Sequence, residues 1–202
     1  MRQILSPSVQ IFLDSNGGYL YDCTEQILSQ HSVHEGNESP PPYLGDFPGV
    51  RGELFSQAKA AAQWLHACGY RGTASADFLL VDYDELDSPV VYICELNARV
   101  TGATYPSVLA RHFTPQGAWL LRNLRLTRPA SGQKVIEMLR RRGHLYLPGE
   151  SAGVLPINFN LGPDNLVHKG QFLCLAPQPD KCRAFLEFAE GDLPVEWTFD
   201  RD

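Results

Sequence analysis

An α+β fold built on antiparallel strands is predicted by three observations. Strand-like alternation occurs in pairs joined by turns rich in Gly, Asn and Asp. Apolar residues at helical spacing lie between those pairs. No strand–helix–strand series repeats, as a parallel sheet would require. With 202 residues, 44% hydrophobic and 20% charged, the chain can bury about 70% of its unfolded surface and needs no disulfide staples.

Residues 9–14 read as a strand, and Asp14-Ser-Asn-Gly-Gly18 as a hairpin turn, because Asn-Gly accepts positive φ. The chain returns over 19–23, and 25–32 is expected to be a third strand. Residues 33–50, with Gly36, Gly45, Gly49 and prolines at 40, 41, 42 and 48, read as an extended loop. The clearest helix spans 53–67, where Leu54, Ala58, Ala61 and Leu65 share one face and Gly69 is the natural stop. Strands follow over 75–83 and 89–97, around an acidic turn.

Residues 104–127 read as helical with a break at Pro115, and 133–142 as a short helix ended by Gly143. A second hairpin spans 153–160 and 167–176, with Gly162-Pro163 in its turn, and a last helix runs over 179–189. The internal boundary falls at 129–132. It divides the chain into 1–128 and a small α+β subdomain, 129–202.

Seventeen Lys and Arg against 23 Asp and Glu give a net charge of −6, which argues against a chain built to hold nucleic acid. No apolar run approaches the about 18 residues of a membrane span, and the N-terminus lacks a signal-peptide core. A cytoplasmic protein with no membrane partner is expected. The five cysteines (Cys23, Cys68, Cys94, Cys174 and Cys182) contain no CxxC pair and read as reduced. Cys68, Cys94 and Cys174 lie in or beside apolar stretches, as small hydrophobes do. His31 and His34, the only close histidine pair, are not read as a metal site. Arg122, Arg125, Arg128 and 140–142 read as solvated helix faces. Asp82, Asp84, Glu85 and Asp87 read as a solvated hairpin tip, since they lack the Gly and terminal Glu spacing of a calcium loop. Ser107 has no GxSxG context.

The chemistry-bearing stretch is 69–112. With 75–83 and 89–97 taken as a hairpin across an 84–88 loop, 81 pairs with 91, 79 with 93, and 77 with 95. Asp77 then lies directly opposite Glu95, and opposed Cβ atoms are about 4.5–5.5 Å apart. Alternation puts Asp77, Leu79 and Val81 on one face with Val91, Ile93 and Glu95, and Asn97 two residues on. Two facing carboxylates on an apolar face repel, and a cation between them relieves it. Hard oxygen donors suit Mg²⁺ or Mn²⁺ better than zinc. Arg99 follows on the same parity, within reach of an anion beside the metal. Gly102, Ala103 and Thr104 lead into a helix whose N-terminus offers N–H groups to an anion. Spacing alone leaves a second reading open, a hairpin end where both carboxylates are merely solvated.

Asp77-Phe78 in a strand, with Glu95-Leu-Asn97-Ala-Arg99 downstream, resembles the ATP-grasp ligases. The closest resemblance is to peptide ligases of the pheganomycin type, whose lead-in is similar to Ser6-Pro-Ser-Val-Gln10, Gly17-Gly18, Gln26, Gly36 and Pro40. The resemblance implies the C-terminal half of an ATP-grasp domain over 1–128. It implies Asp77, Glu95 and Asn97 as Mg²⁺ ligands holding ATP phosphates, and Arg99 as the residue stabilising the transferring phosphoryl group or the acyl-phosphate. Ile93 or Cys94 would form part of the floor under the adenine. The implied reaction activates a small carboxylate with ATP to an acyl-phosphate, which an amine attacks. The family's lysine-bearing half would precede Ser6. The four lysines here (Lys59, Lys134, Lys169 and Lys181) do not sit in a Gly-rich phosphate loop, and the position two before Asp77, an Arg in some relatives, is Ser75. A partial enzyme, active with a chain that supplies the missing half, is therefore expected. The alternative is a non-catalytic metal- or nucleotide-binding module, or a remnant acting as an interaction domain.

Overall fold

The computed structural model describes residues 2–29, 31, 33–83, 86 and 88–195. In chain order its elements are β1 (Arg2–Leu5), β2 (Pro7–Leu13), β3 (Gly18–Leu28), β4 (His34–Ser39), a 3₁₀ turn (Pro42–Gly45), α1 (Pro48–Ala67), β5 (Gly72–Asp82), β6 (Val90–Asn97), α2 (Thr104–Phe113), β7 (Ala118–Ala130), α3 (Gly132–Arg141), β8 (Gly153–Leu161), β9 (Val167–Ala176) and α4 (Pro179–Asp192). This is α+β, with antiparallel strands packed by helices, as expected. No helix among the described residues is long and apolar enough to cross a membrane. Asp84, Glu85 and Asp87 of the expected hairpin tip, and Ser32 of the expected third strand, lie outside the described residues.

Two compact units divide the chain, 1–26 with 39–108, and 27–38 with 109–202. The 128/129 boundary read from sequence falls inside β7.

In the first unit β2 pairs with β3 and β5, and β5 pairs also with β1 and β6, all antiparallel. Alternation in β2 puts Val9, Ile11 and Leu13 on one face and Ser8 and Gln10 on the other. The first face meets α1, where Leu54 and Ala58 are fully buried against Ala74, Ala76, Phe78 and Leu80 of β5. Helix α1 starts five residues before the expected position 53, because Pro48 stands at its first turn, where a missing N–H costs nothing. Gly69, at φ +86°, ends it as predicted. The β2–β3 turn forms differently from the Asn-Gly reading. Asp14 Oδ1 accepts from the backbone N–H of Asn16 and Gly17, at 2.7 and 3.2 Å, and only Gly17 takes positive φ.

In the second unit β7 pairs with β9 and β9 with β8, again antiparallel. Leu124, Val135, Leu139, Phe172, Cys174 and Leu186 lie in the core that α3 and α4 cover. Two expectations fail here. Residues 34–39 are a strand, not loop, and 118–127 are strand, not helix. Leu124 and Leu126 are buried while Arg125 and Thr127 are exposed, a period of two. Arg122 and Arg125 thus sit on a strand, and Arg122 is buried. The cysteines are free, but Cys68 and Cys94 are exposed, whereas Cys23 and Cys182 join Cys174 in the interior.

At Gly36 a Cβ would lie 1.9 Å from the Leu121 carbonyl oxygen, so β4 approaches β7 only through glycine. Gly49, in the first turn of α1, has nothing within 4 Å of its would-be Cβ. In urea denaturation Gly36→Ala is therefore expected to destabilise by more than about 1–3 kcal/mol, the usual overpacking cost. Gly49→Ala is expected to stay neutral or gain about 0.4–1 kcal/mol. Equal responses at the two positions contradict the close approach.

Candidate functional site

The second face of the first unit's strands is polar, and register puts its residues in rows. Ser8 lies opposite Asp77, and Asp77 opposite Glu95. One step along, Gln10 lies opposite Ser75, and Ser75 opposite Asn97. Directly opposed residues share a face, so β2, β5 and β6 each contribute two side chains to one polar grid.

Hydrogen bonds converge on Asp77. Its Oδ1 accepts from Ser8 Oγ at 2.6 Å and from Ser75 Oγ at 3.3 Å, and its Oδ2 accepts from Asn97 Nδ2 at 3.0 Å. Gln10 Nε2 donates to Ser8 Oγ at 2.9 Å, which aims the Ser8 hydroxyl proton at the carboxylate. Thr101 Oγ1 donates to Gln10 Oε1 at 3.5 Å. Thr104 Oγ1 accepts from the Thr101 N–H at 2.9 Å at the start of α2, half of a capping box.

Burial pushes the Asp77 carboxyl above its usual range, and the Glu95 charge pushes the same way. The Ser8 and Ser75 hydroxyls and the Arg99 charge pull it back without winning. The donors around Asp77 therefore offset only part of what burial and the Glu95 charge cost its ionised form.

The pairing of Asp77 with Glu95 is as the sequence predicts, but the pairing beyond it is not. Cys94 is a bulge: 77 pairs with 95, while 78 pairs with 93 and 79 with 92. One inserted residue flips the faces of all that follows. Ile93 thus lies opposite Phe78 and Val91 opposite Leu80, on the face that meets α1, and Tyr92 takes the place expected for Ile93. Of the apolar surround predicted for the carboxylates, Val91 and Ile93 leave this face while Leu79 and Val81 keep the parity of Asp77, and Ser8, Gln10 and Ser75 join them. Cys94 is exposed, and its thiol donates to the Asp77 carbonyl oxygen at 3.2 Å. Asp77, Glu95 and Asn97 come together; Arg99 is exposed, with its charge felt at Asp77; Ile93 lies apart from them on the other face.

Sequence reasoning missed Ser8, Gln10, Ser75 and Thr101. The signal was present in β2 and the residue before it, where Ser6, Ser8 and Gln10 alternate with Val9, Ile11 and Leu13, and all six are buried.

Among the described residues no three His, Cys, Asp or Glu side chains gather into a metal cluster. The donor set at Asp77 is instead two carboxylates and an amide. It fits a hard divalent cation: with Nδ2 turned to Asp77, the Asn97 Oδ1 has no protein donor among the described hydrogen bonds, and the only partly offset Asp77 carboxylate sits beside it.

No family model matches the sequence, and no curated protein matches it. Solved structures do match the fold. Biotin carboxylase from Campylobacter jejuni, in a complex with beta-gamma-ATP, is 16% identical with a TM-score of 0.63, over 97% of this chain and 47% of that one. Pyruvate carboxylase from Rhizobium etli is 15% identical with a TM-score of 0.62, over 96% of this chain and 21% of that one. Urea carboxylase from Kluyveromyces lactis is 13% identical with a TM-score of 0.61, over 95% of this chain and 18% of that one. The chain spans about half the length of the first of these structures and less of the others. The chain shares the fold of these carboxylases over the corresponding region.

A carboxyl whose folded pKa exceeds its ordinary 3.8 holds more protons folded than unfolded. The metal-free fold therefore loses stability as pH rises through the interval above 3.8. Glu95→Gln removes one charge that raises Asp77. In carbonyl ¹³C NMR the Asp77 titration is expected to move to lower pH in this variant, and the stability loss to shrink. A titration that stays in place refutes the coupling.

Proposed function

We propose that this chain supplies the metal- and phosphate-binding part of an ATP-dependent ligase that joins a carboxylate to an amine. The observation that carries the reading is the Asp77–Glu95 pair, with the Asn97 amide on the same carboxylate. The ATP-grasp fold of the carboxylase neighbours supports it.

Asp77, Glu95 and Asn97 are assigned as the residues that hold Mg²⁺ or Mn²⁺ against the ATP phosphates. When bound, the ion neutralises charge that develops on the phosphoryl oxygens. Ser8, Ser75 and Gln10 keep the Asp77 carboxylate in one orientation, so its reorganisation need not accompany the reaction. Arg99 is assigned to the transferring phosphoryl group. Cys94, exposed on β6 at the bulge, is assigned to the adenine, whereas Ile93, on the other face, is left out of the assignment.

In the reaction a carboxylate oxygen bonds to the γ-phosphorus and ADP leaves. The amine nitrogen then bonds to the acyl carbon, phosphate leaves, and the nitrogen loses its proton. Small carboxylate and amine substrates of the peptide-ligase kind are the finer part of this proposal. The lysine-bearing half is assigned to a further chain or segment, so the 202-residue chain is expected to bind Mg-ATP and turn it over poorly.

Titration of ATP with and without Mg²⁺ into the purified chain tests this. Saturable binding that needs Mg²⁺ is expected. Glu95→Gln should weaken it at least about tenfold, the value of one charge-assisted contact. Arg99→Ala should spare Mg²⁺ binding and weaken ATP by a similar factor. Binding that ignores Mg²⁺, or robust ligation by this chain alone, overturns the assignment.

A further inference from the structure

The second unit holds a cavity of about 370 Å³ between β7 and α4, with residues of β3 and β4 in its wall. That volume is in the range of small-molecule sites. Its walls are of two kinds. Ile27, Leu120 and Leu186 form an apolar side. Glu38, Glu187, Glu190, Arg122 and Arg183 supply the charged part of the lining.

The charges do not balance. Arg183 is held by Glu38, with Nε and Nη2 at 3.0 and 2.9 Å from Oε2, and it also donates Nη1 to Asp180 at 3.0 Å. Arg122 feels the charges of Glu190 on α4 and Glu35 on β4. Among the described residues three glutamates and two arginines line the cavity, and Asp180, bonded to Arg183, and Glu35, whose charge reaches Arg122, add to the negative side.

The surplus falls on Glu190. Its side chain is buried, with 3% of its surface exposed, and its Oε1 accepts no hydrogen bond among the described residues. Buried carboxylate oxygens are ordinarily satisfied, so an orphan one on a residue that lines a cavity points to a missing donor. We propose that this cavity binds a small aliphatic primary ammonium ion, its –NH₃⁺ donating to Glu190 Oε1 and its alkyl chain lying against Ile27, Leu120 and Leu186.

Other ligand chemistries fit less well. A free anion meets a net negative wall. A hard divalent ion needs six or more oxygens, and here it would meet one orphan oxygen and a guanidinium. Burial, together with the Glu187 charge, pushes the Glu190 carboxyl up to about 7 against the opposing pull of Arg122. The free cavity thus carries its surplus charge only part of the time near neutrality, which makes it tolerable when empty. The proposal stands apart from the nucleotide reading, since every lining residue named here belongs to the second unit.

The test titrates n-butylammonium chloride into the full chain at pH 6 and pH 8, followed by NMR, with butyrate and n-butanol as controls. An alkylammonium stays protonated over this range, with a pKa near that of Lys, about 10.4. The ionised fraction of a carboxyl titrating at about 7 rises about tenfold between those pH values, so the apparent affinity should tighten about tenfold. Glu35, Glu38, Asp180 and Glu187 are the other carboxyls facing the two arginines, and the ¹³C titration of Glu190 separates its response from theirs. In the wild-type chain butylammonium should lower the Glu190 titration midpoint. Glu190→Gln, which keeps the side-chain volume, should weaken binding about tenfold or more. Absence of saturable butylammonium binding overturns the proposal. So does preference for butyrate, or an unmoved Glu190 midpoint in the wild-type chain, a result that does not depend on how the variant folds.

Discussion

The first unit depends on how one buried carboxylate is held. Asp77 lies in the central strand of a polar face, with a strand on either side, and it ionises only at a cost. Three side-chain donors offset part of that cost, and each is placed by register rather than by chance proximity. Ser8 and Ser75 stand across from it and beside it, and Asn97 stands diagonally. Moving β2 by one residue would carry Ser8 to the opposite face, and moving β6 would do the same to Asn97; only Ser75, on the same strand as Asp77, would stay. The same step would turn Val9 and Ile11 away from α1. Core and site therefore share one register, and the hydrophobic face enforces the polar one.

Much of this was legible. The pairing of Asp77 with Glu95 follows from two strands and a loop length, and the face of α1 follows from Leu54, Ala58, Ala61 and Leu65. What could not be read is the bulge at Cys94. A bulge leaves no mark in alternation until its partner strand is known, and residues 90–93 read equally well on either face. The strand at 118–127 was missed for another reason. Trp119, Leu120 and Leu121 are buried in succession because both faces of that part of β7 are covered, and such a run also satisfies a helical pattern. Only the Leu124–Thr127 alternation separates the two. The prolines at 40–42 and 48 suggested a long loop, yet Pro48 opens a helix, because the first turn of a helix tolerates what its middle does not.

The two units treat buried charge differently. In the first, hydroxyl and amide donors surround a carboxylate that no guanidinium touches, and the remaining imbalance suits a metal ion. In the second, Glu190 and Arg122 are buried on facing elements, and burial raises the carboxyl despite the opposite charge nearby. Water-like donors preserve an anion's charge in place, whereas a buried pair lets the proton return when the partner is imperfectly placed. A site meant to keep a cation bound profits from the first arrangement. A site meant to fill and empty near neutral pH profits from the second.

Identity of 16% or less with the carboxylases leaves the fold recognisable because a fold asks only for faces of the right period and turns at the right places. Function asks for particular atoms, and a shared fold does not supply them. Here those atoms can be named without the comparison. Asp77, Glu95 and Asn97 meet because of pairing between β5 and β6, and Ser8 and Gln10 are polar where a plain sheet would bury apolar residues. A hairpin end with merely solvated acids would not bury Gln10, Ser75 and Asn97 around one carboxylate. Burying three polar side chains is worthwhile only if the group they orient has a partner of its own. That requirement weighs more than the fold resemblance in favour of a cation-binding site.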